Sequence, residues 1–282
     1  MNQNRLSWSN DGLAVNPSGS WAMEKYALLS NYIEMFSTGM LRKWGKRIYI
    51  DLYSGPGCTQ LRDSGTLQKG SPLIALSVKD PFDKYIFCEE NPEYLAALRN
   101  RCLKNFPNHE VSFVEGDCNA KVDAILDAIP RHSKNQTVLT FCFVDPFSLN
   151  LQFETIEKLS TKYVDFLVLL ALDMDARRNL KNYLKPSSKK IDLLVGSADW
   201  RIRWEKFSER DNSFQRFLAH EFEAKMLALG YRKHSRGNTK HISTRDGTLP
   251  LYHLAFFSRH PRGYAFWDEC LKYGSPQGQF EF

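Results

Sequence analysis

The chain has 282 residues and a formal net charge of +6, and its 43% hydrophobic and 25% charged residues are typical of a soluble globular protein. No uncharged apolar run reaches the ~18 residues of a membrane helix, and the first residues lack the regions of a signal peptide, so we expect a cytoplasmic protein without a membrane partner. Six cysteines without CxxC spacing predict reduced thiols and argue against a structural zinc site.

The first 20 residues predict a polar lead-in, and an amphipathic helix is expected from about residue 21 to residue 44. Ser20, with Glu24 nearby, provides an acceptable start signal for this helix. Apolar side chains then recur at helical spacing, at Trp21, Tyr26, Leu29, Ile33 and Phe36. This pattern predicts a helix that packs on a sheet.

A run of apolar, β-branched and aromatic residues from Ile48 to Tyr53 predicts a buried strand. The strand carries Asp51 and leads into the turn Ser54-Gly55-Pro56-Gly57, whose glycines let the backbone come close to a ligand. A strand, an acid and a glycine turn are typical of the nucleotide corner of an open α/β sheet. There the ligand binds beyond the carboxyl end of the first strand.

The residues after this turn differ from a dinucleotide-binding motif. Residues 58–70 are polar and unpatterned, and a good helix start appears only at Ser71-Pro72, so the turn does not run directly into a helix. Gln60 also stands where G-x-G-x-x-G has its third glycine. Because pyrophosphate binding at a helix N-terminus depends on these features, NAD and FAD are disfavoured.

Three further apolar runs each end near an acidic residue and predict parallel strands. Residues 85–88 lead to Glu89, residues 111–114 lead to Asp117, and residues 138–144 lead to Asp145. Glu89 suits a ribose, because one carboxylate can accept hydrogen bonds from both vicinal hydroxyls, although it could instead simply begin a helix. Asp117 could meet an adenine amine or cap the following helix.

Five strand-then-helix units predict an α/β fold with a doubly wound, mainly parallel sheet. The fifth strand is expected at residues 166–172. A helix at residues 214–229 and a hairpin of residues 231–244 and 251–257 could complete a seven-stranded sheet, with the last strands antiparallel. We expect one domain over residues 21–282 with an inserted segment at about residues 174–212, and a separate small domain is the alternative.

Acids at the ends of four successive strands, with a glycine turn that lacks the full phosphate motif, resemble a class I S-adenosylmethionine-dependent methyltransferase of Rossmann-like fold. More narrowly, YIDLYSGPG, GSPL, FCEENP, EGDCN and FVDPFSL resemble the three-Cys-motif partner protein (TcmP) family over most of the chain. The resemblance implies S-adenosylmethionine as the cofactor. It also implies a partner that carries a three-cysteine motif and is similar to radical S-adenosylmethionine proteins.

The resemblance further assigns roles to individual residues. It implies that the methionine part of the cofactor faces four residues of the first strand and its turn, namely Asp51, Ser54, Gly55 and Gly57. It places Glu89 on the ribose, and it places Asp117, with its neighbour Cys118, beside the adenine.

The turn Asp145-Pro146-Phe147-Ser148 is similar to the [Asp/Asn]-Pro-Pro-aromatic motif of amino-methylating nucleic-acid methyltransferases. In that motif the polar side chain accepts a hydrogen bond from the target amine, and the aromatic ring stacks on the flipped base. The resemblance implies catalytic roles for Asp145 and for Phe147. Phe147 and Ser148 replace the second proline and the aromatic residue, however, so a turn that carries no chemistry is the alternative.

In methyl transfer the protein mainly has to align the nucleophile, and Asp145 is the best candidate for this role. Asp173 and Asp175 are weaker candidates, since they could equally open a surface helix. Two functions of different classes therefore stay open. One is an active methyltransferase on nucleic acid or protein, and the other is a non-catalytic methyltransferase-like subunit that binds a partner.

Most of the positive charge lies late in the chain, where residues 186–282 hold 16 Lys/Arg against 11 Asp/Glu. This excess is compatible with a nucleic-acid partner, and a solvated basic face is the alternative. Trp200 and Trp204 interleave with basic residues and could stack on bases. Their spacing of four residues favours packing of one helix face instead.

Overall fold

The computed structural model describes residues 6–172, 177–234, 239–243 and 250–273. The strands are β1 (Asn16–Ser18), β2 (Lys46–Asp51), β3 (Cys58–Leu61), β4 (Leu67–Lys69), β5 (Lys84–Glu89), β6 (Val111–Glu115), β7 (Val138–Val144), β8 (Val164–Leu170), β9 (Thr239–Ser243) and β10 (Pro250–Phe257). The helices are α1 (Ala22–Met40), α2 (Ser71–Leu76), α3 (Pro92–Asn105), α4 (Val122–Ala128), α5 (Phe153–Leu159), α6 (Arg177–Tyr183), α7 (Lys190–Val195), α8 (Trp200–Ser208), α9 (Phe214–Ala228) and α10 (Pro261–Tyr273).

The central sheet has the strand order β6–β5–β2–β7–β8–β10–β9. The first five strands are parallel neighbours, and β10 runs antiparallel to both β8 and β9. The chain moves outwards from β2 to β6 and then returns to β7 on the other side of β2. This return creates a switch point, where ligands bind in open α/β sheets. The prediction of a Rossmann-like, doubly wound and mainly parallel α/β sheet is confirmed.

The middle of the sheet is covered on both faces. Strands β7 and β8 are buried along their whole length, which explains their continuous apolar sequences. On one face, Tyr32 of α1 stacks on Phe141 of β7, with ring centroids 5.1 Å apart, and lies 4.8 Å from Phe256 of β10. This packing fixes α1 across the sheet, with its first turn near the carboxyl end of β7.

Several boundaries differ from the sequence prediction. Helix α1 ends at Met40, because the next residues form an exposed turn before β2. Residues 58–70 contain β3 and β4, which form a small three-stranded sheet with β1. Only the start of this hairpin is buried, so no alternation of apolar and polar residues marks it. Strand β8 begins at Val164, two residues before the expected start.

Helices α6, α7 and α8 lie in the range of the expected inserted segment. Trp204 of α8 is buried and lies 5.0 Å from Phe214 and 5.4 Å from Phe217 of α9, and Trp200 is buried as well. The packing interpretation of the two tryptophans is therefore confirmed. Asp173 and Asp175 lie outside the described residues. None of the helices in the described part of the chain is long and apolar enough to span a membrane.

Candidate functional site

A cavity of about 610 Å³ opens beyond the carboxyl ends of β2, β5, β6 and β7. Its volume falls within the range of ~300–1,000 Å³ that is usual for ligand sites. The structure brings together six of the predicted site residues in its lining, namely Gly55, Glu89, Asp117, Cys118, Asp145 and Phe147. The switch point and the predicted residues thus coincide in one place.

The turn after β2 requires glycine at two positions, since Gly55 and Gly57 have φ angles of 59° and 83°. A Cβ on Gly57 would also lie 2.7 Å from the Cδ1 atom of Leu98. The space beside Gly55 is open, and Gly55 lines the cavity. A ligand can therefore approach the backbone of this turn closely.

Glu89 connects the glycine turn to the start of α3. Its Oε2 atom accepts a hydrogen bond from the Gly55 amide at 2.7 Å, and its Oε1 atom accepts one from the Asn91 amide at 2.9 Å. The side chain of Asn91 in turn caps α3. The turn amide that a phosphate would need is therefore already paired with a carboxylate.

Asp117 and Asn119 organise the loop after β6. The Oδ1 atom of Asp117 accepts hydrogen bonds from the backbone and side-chain nitrogens of Asn119, at 3.0 and 2.9 Å. The capping interpretation of Asp117 is wrong, because α4 begins at Val122 without a side-chain cap. Asn119, which the sequence analysis did not select, also accepts from the Gln152 amide at 2.9 Å and so joins two walls of the cavity. Burial raises the pKa of the Cys118 thiol to about 12, so this thiol stays protonated at neutral pH.

Three of the predicted residues lie behind the cavity wall: Asp51, Ser54 and Gly57. Asp51 is fully buried and accepts hydrogen bonds from the Tyr49 hydroxyl at 3.3 Å and the Tyr53 amide at 3.4 Å. Burial raises the pKa of Asp51 to about 7. The Ser54 hydroxyl donates to the Cys88 carbonyl at 3.0 Å. These contacts stabilise the conformation of the turn without reaching the cavity.

Asp145 is held by a lysine that the sequence analysis did not select. The Lys25 Nζ atom lies 2.5 Å from Asp145 Oδ2, and its side chain is only 4% exposed. Burial by itself would lower the pKa of this ammonium, but the adjacent Asp145 carboxylate raises it above its usual value. Lys25 lies four residues after Trp21 and four before Leu29, on the apolar face of α1. A lysine on the buried face of a helix is a signal for such a partner.

The turn that follows Asp145 is exposed and strained. Phe147 is 86% exposed at the mouth of the cavity. Ser148 has a φ of 62° and is the one non-glycine residue in the described part of the chain with a positive φ. Left-handed conformations of non-glycine residues cost roughly 1–3 kcal/mol and cluster at functional sites. The turn therefore combines an exposed aromatic ring with a strained backbone at the mouth of the cavity.

Helix α7 contributes Lys190 and Leu193 to the lining of the cavity. The Lys190 ammonium donates a hydrogen bond to the side chain of Asn150, which also lines the cavity. Leu193 is 46% exposed. No sequence motif points to either residue, because their place at the cavity depends on how α7 packs against the sheet.

The charged residues of the cavity lining are mainly acidic. Glu89, Glu90, Asp117 and Asp145 contribute carboxylates, and Lys190 contributes a basic group. Such a lining attracts cationic groups and repels phosphates. Within the described residues, no group of three or more His, Cys, Asp or Glu side chains is arranged to hold a metal ion.

Comparisons with known proteins give similarity at the level of solved structures. No protein-family model matches the sequence, and no curated protein matches it. The LPL1258 protein of Legionella pneumophila superposes with a TM-score of 0.47 at 12% identity, covering 89% of this chain and 94% of its own. The TYW2 protein of M. jannaschii in complex with AdoMet gives 0.42 at 10% identity, covering 86% and 78%. An O-methyltransferase from Bacillus cereus in complex with SAH gives 0.42 at 8% identity, covering 81% and 80%.

Proposed function

We propose that this protein is an S-adenosylmethionine-dependent methyltransferase whose cofactor occupies the cavity beyond β2, β5, β6 and β7. One observation carries the proposal, namely the 2.7 Å hydrogen bond from the Gly55 amide to the Glu89 carboxylate. Because of this bond, the Gly55 amide is not available to a phosphate, although a ligand can still lie against the backbone of the glycine turn. S-adenosylmethionine contains an adenosine, a cationic sulfonium and an amino-acid tail, and it carries no phosphate.

The residues of the cavity fit this cofactor by their chemistry. Each oxygen of Glu89 accepts one backbone N–H and has capacity for a second hydrogen bond, which suits the ribose hydroxyls. Asp117 uses Oδ1 for Asn119, so Oδ2 can accept from an adenine amine. The acidic lining favours a sulfonium and disfavours NAD, whose pyrophosphate would face Glu89 and Glu90.

The bound cofactor supplies an electrophilic methyl group, and the chain aligns a nucleophile with it. Asp145 is the residue that orients the acceptor. Its Oδ2 atom is bound to Lys25, and its Oδ1 atom can accept a hydrogen bond from an amine or a hydroxyl. Because the Lys25 ammonium already occupies Oδ2, Asp145 orients the acceptor through its remaining oxygen.

The proposed acceptor is an amino group of a nucleic-acid base. Phe147 presents an exposed ring beside Asp145, and exposed aromatic rings stack on unpaired bases. Because Ser148 takes the aromatic position of the amino-methylating motif, the ring is supplied one residue earlier in the chain. The left-handed backbone of Ser148 changes the direction of the turn at the same point.

Calorimetric titration with S-adenosylmethionine and S-adenosylhomocysteine tests the cofactor site. We expect the wild type to bind both ligands and Glu89→Ala to lose binding. Glu154→Ala, at an exposed carboxylate of α5, is the matched control and should bind like the wild type. Absence of binding at millimolar ligand, in protein that is folded by circular dichroism, would refute the cofactor assignment.

A second candidate function is a non-catalytic subunit that keeps the cofactor site and serves a three-Cys-motif protein. The altered turn at Phe147 and Ser148 favours this candidate, because it departs from the motif of active amino-methylating enzymes. The two functions differ in one measurement, the transfer of a labelled methyl group to RNA, DNA or protein. Transfer that is lost in Asp145→Asn supports the enzyme, whereas cofactor binding without transfer, together with co-purification of a three-Cys-motif protein, supports the subunit.

A further inference from the structure

We infer that the turn between α6 and α7 binds the sugar–phosphate backbone of the nucleic-acid strand that carries the methyl acceptor. This inference rests on the proposed function, because it places the strand at the mouth of the cofactor cavity. Residues 177–212 hold ten Lys/Arg against five Asp/Glu, so this short segment accounts for most of the net charge of +6. A concentrated positive surface is the usual footprint of a nucleic-acid site.

Two arginines of the segment, Arg201 and Arg203, are already paired with acids of the protein. The Arg201 Nη1 atom lies 2.6 Å from Asp192 Oδ1, and its Nη2 atom donates to the carbonyls of Tyr183 at 3.0 Å and Ser188 at 2.7 Å. Arg203 pairs with Glu221 at 2.5 Å. Arg201 therefore holds the turn at residues 183–188 against α7 and α8. The carboxylates of Asp192 and Glu221 are already neutralised by Arg201 and Arg203.

The lysines of the turn remain available for an external anion. Lys185 is exposed, and its ammonium donates a hydrogen bond to a neutral group, the carboxamide oxygen of Asn182, at 3.0 Å. Lys189 is 69% exposed and lies 3.4 Å from Asp192, whose carboxylate is held more closely by Arg201. Lys190 follows directly and lines the cavity. A row of basic groups thus leads along the turn to the cavity mouth.

The charge distribution assigns different parts of a nucleotide to different places. Phosphates are repelled from the cavity by Glu89 and Asp117 but are attracted to the lysines at its rim. Phe147 lies at the same mouth with its ring exposed, so a base can stack there while the backbone lies along the turn. An acidic protein segment would meet the lysines but would gain no stacking from Phe147.

Fluorescence anisotropy with a labelled single-stranded RNA of mixed sequence, about 20 nucleotides long, tests this inference. The variant Lys185→Gln/Lys189→Gln leaves the cavity lining intact. We expect its dissociation constant to rise about tenfold at low salt, and its salt dependence to fall by about 1.4 in the log–log slope, since each lost contact with a single strand removes about 0.7. Phe147→Ala should weaken binding without changing the slope.

The control variant Lys43→Gln/Lys104→Gln removes two exposed lysines, one in the turn before β2 and one in the last turn of α3, and should bind RNA like the wild type. Equal affinities of the wild type and Lys185→Gln/Lys189→Gln would overturn the inference, as would an equal loss in the control variant. Polyglutamate that binds as tightly as the RNA would also overturn it and would identify the turn as a site for acidic protein.

Calorimetry with S-adenosylhomocysteine on the same proteins separates this inference from the proposed function. If the protein binds S-adenosylhomocysteine but its affinity for RNA does not depend on Lys185 and Lys189, the nucleic-acid surface is refuted and the proposed function is not. If RNA binding depends on these lysines but the wild type binds no cofactor, the methyltransferase assignment is refuted and the nucleic-acid surface is supported.

Discussion

Lys25 and Asp145 form an ion pair beside the part of the cavity that we propose for the methyl acceptor. The Lys25 ammonium lies 5.2 Å from the ring centre of Trp21 and 4.7 Å from that of Tyr26. Two aromatic faces and one carboxylate therefore surround this ammonium in place of a hydration shell. Such a pair gains little net stability over apolar residues of the same shape. A buried charge that loses its partner, however, is strongly destabilising. The pair is therefore better explained by its position beside the cavity than by stability.

Lys25→Met should lower the free energy of unfolding by about 3 kcal/mol, because it leaves the Asp145 carboxylate without its counter-ion. Adding Asp145→Asn to this variant should restore part of the loss, since no charge is then left unpaired. Urea unfolding of the two single variants and the double variant measures this coupling. The exposed pair of Lys158 gives the control, and Lys158→Met should change stability by less than about 1 kcal/mol. Strictly additive effects of Lys25→Met and Asp145→Asn would contradict the proposed pairing.

At the scale of elements, a buried arginine ties the segment before β1 to the glycine turn. Arg101 of α3 is 1% exposed and donates to the Pro56 carbonyl at 2.6 Å. Its guanidinium also donates to both carboxylate oxygens of Asp11, each at 2.7 Å, and to the Ala14 carbonyl at 2.8 Å. Asn16, a few residues later, lines the cavity. One side chain thus positions two walls of the candidate site.

Asp11→Asn should destabilise the protein at neutral pH and should matter less in acid. The hydrogen bonds and charge of Arg101 hold the pKa of Asp11 well below its usual range in the folded state, whereas the unfolded chain has the ordinary value near 3.9. The stabilisation is therefore complete above about pH 4 and is lost as the pH falls towards the lower, folded-state pKa. Urea unfolding of wild type and Asp11→Asn between neutral pH and about pH 3 tests this. A stability difference that stays constant over this range would contradict the ion pair, and Asp123→Asn, at a largely exposed carboxylate, is the control.

Elements that are buried on both faces could be predicted from sequence, and elements defined by tertiary contacts could not. Strand β7 is a continuous apolar run because both its faces are covered, so its limits at residues 138 and 144 follow from composition. The hairpin of β3 and β4 leaves no such pattern, because only Cys58 and Thr59 of its strand residues are buried. The acids of the site follow from the strand ends, whereas Lys190 reaches the cavity only through the packing of α7.

At the scale of the whole molecule, opposite charges are separated across a short distance at one edge of the sheet. Acids gather in the cavity because the carboxyl ends of four parallel strands meet there. Basic residues gather on the segment that contains α6, α7 and α8, from which Lys190 lines the same cavity. A ligand that is cationic at its reactive end can enter the cavity, while a polyanion is kept at the rim. Under the proposed function, this separation would place a sulfonium cofactor in the cavity and an anionic acceptor strand at its rim.

Thermal unfolding with added ligands tests this selectivity on the intact chain. A ligand that binds only the folded state at a concentration about 100 times its dissociation constant adds about 2.7 kcal/mol of stability. Since each kcal/mol raises the midpoint of a chain of this size by roughly 2–4 °C, S-adenosylhomocysteine should raise it by about 5–10 °C. NAD and ATP should leave the midpoint unchanged, because their phosphates face Glu89 and Glu90 and find the Gly55 amide occupied. Glu89→Ala should lose the shift with S-adenosylhomocysteine. An equal shift with NAD would mean that the Gly55 amide exchanges the Glu89 carboxylate for a phosphate. The cavity would then be a dinucleotide-binding site.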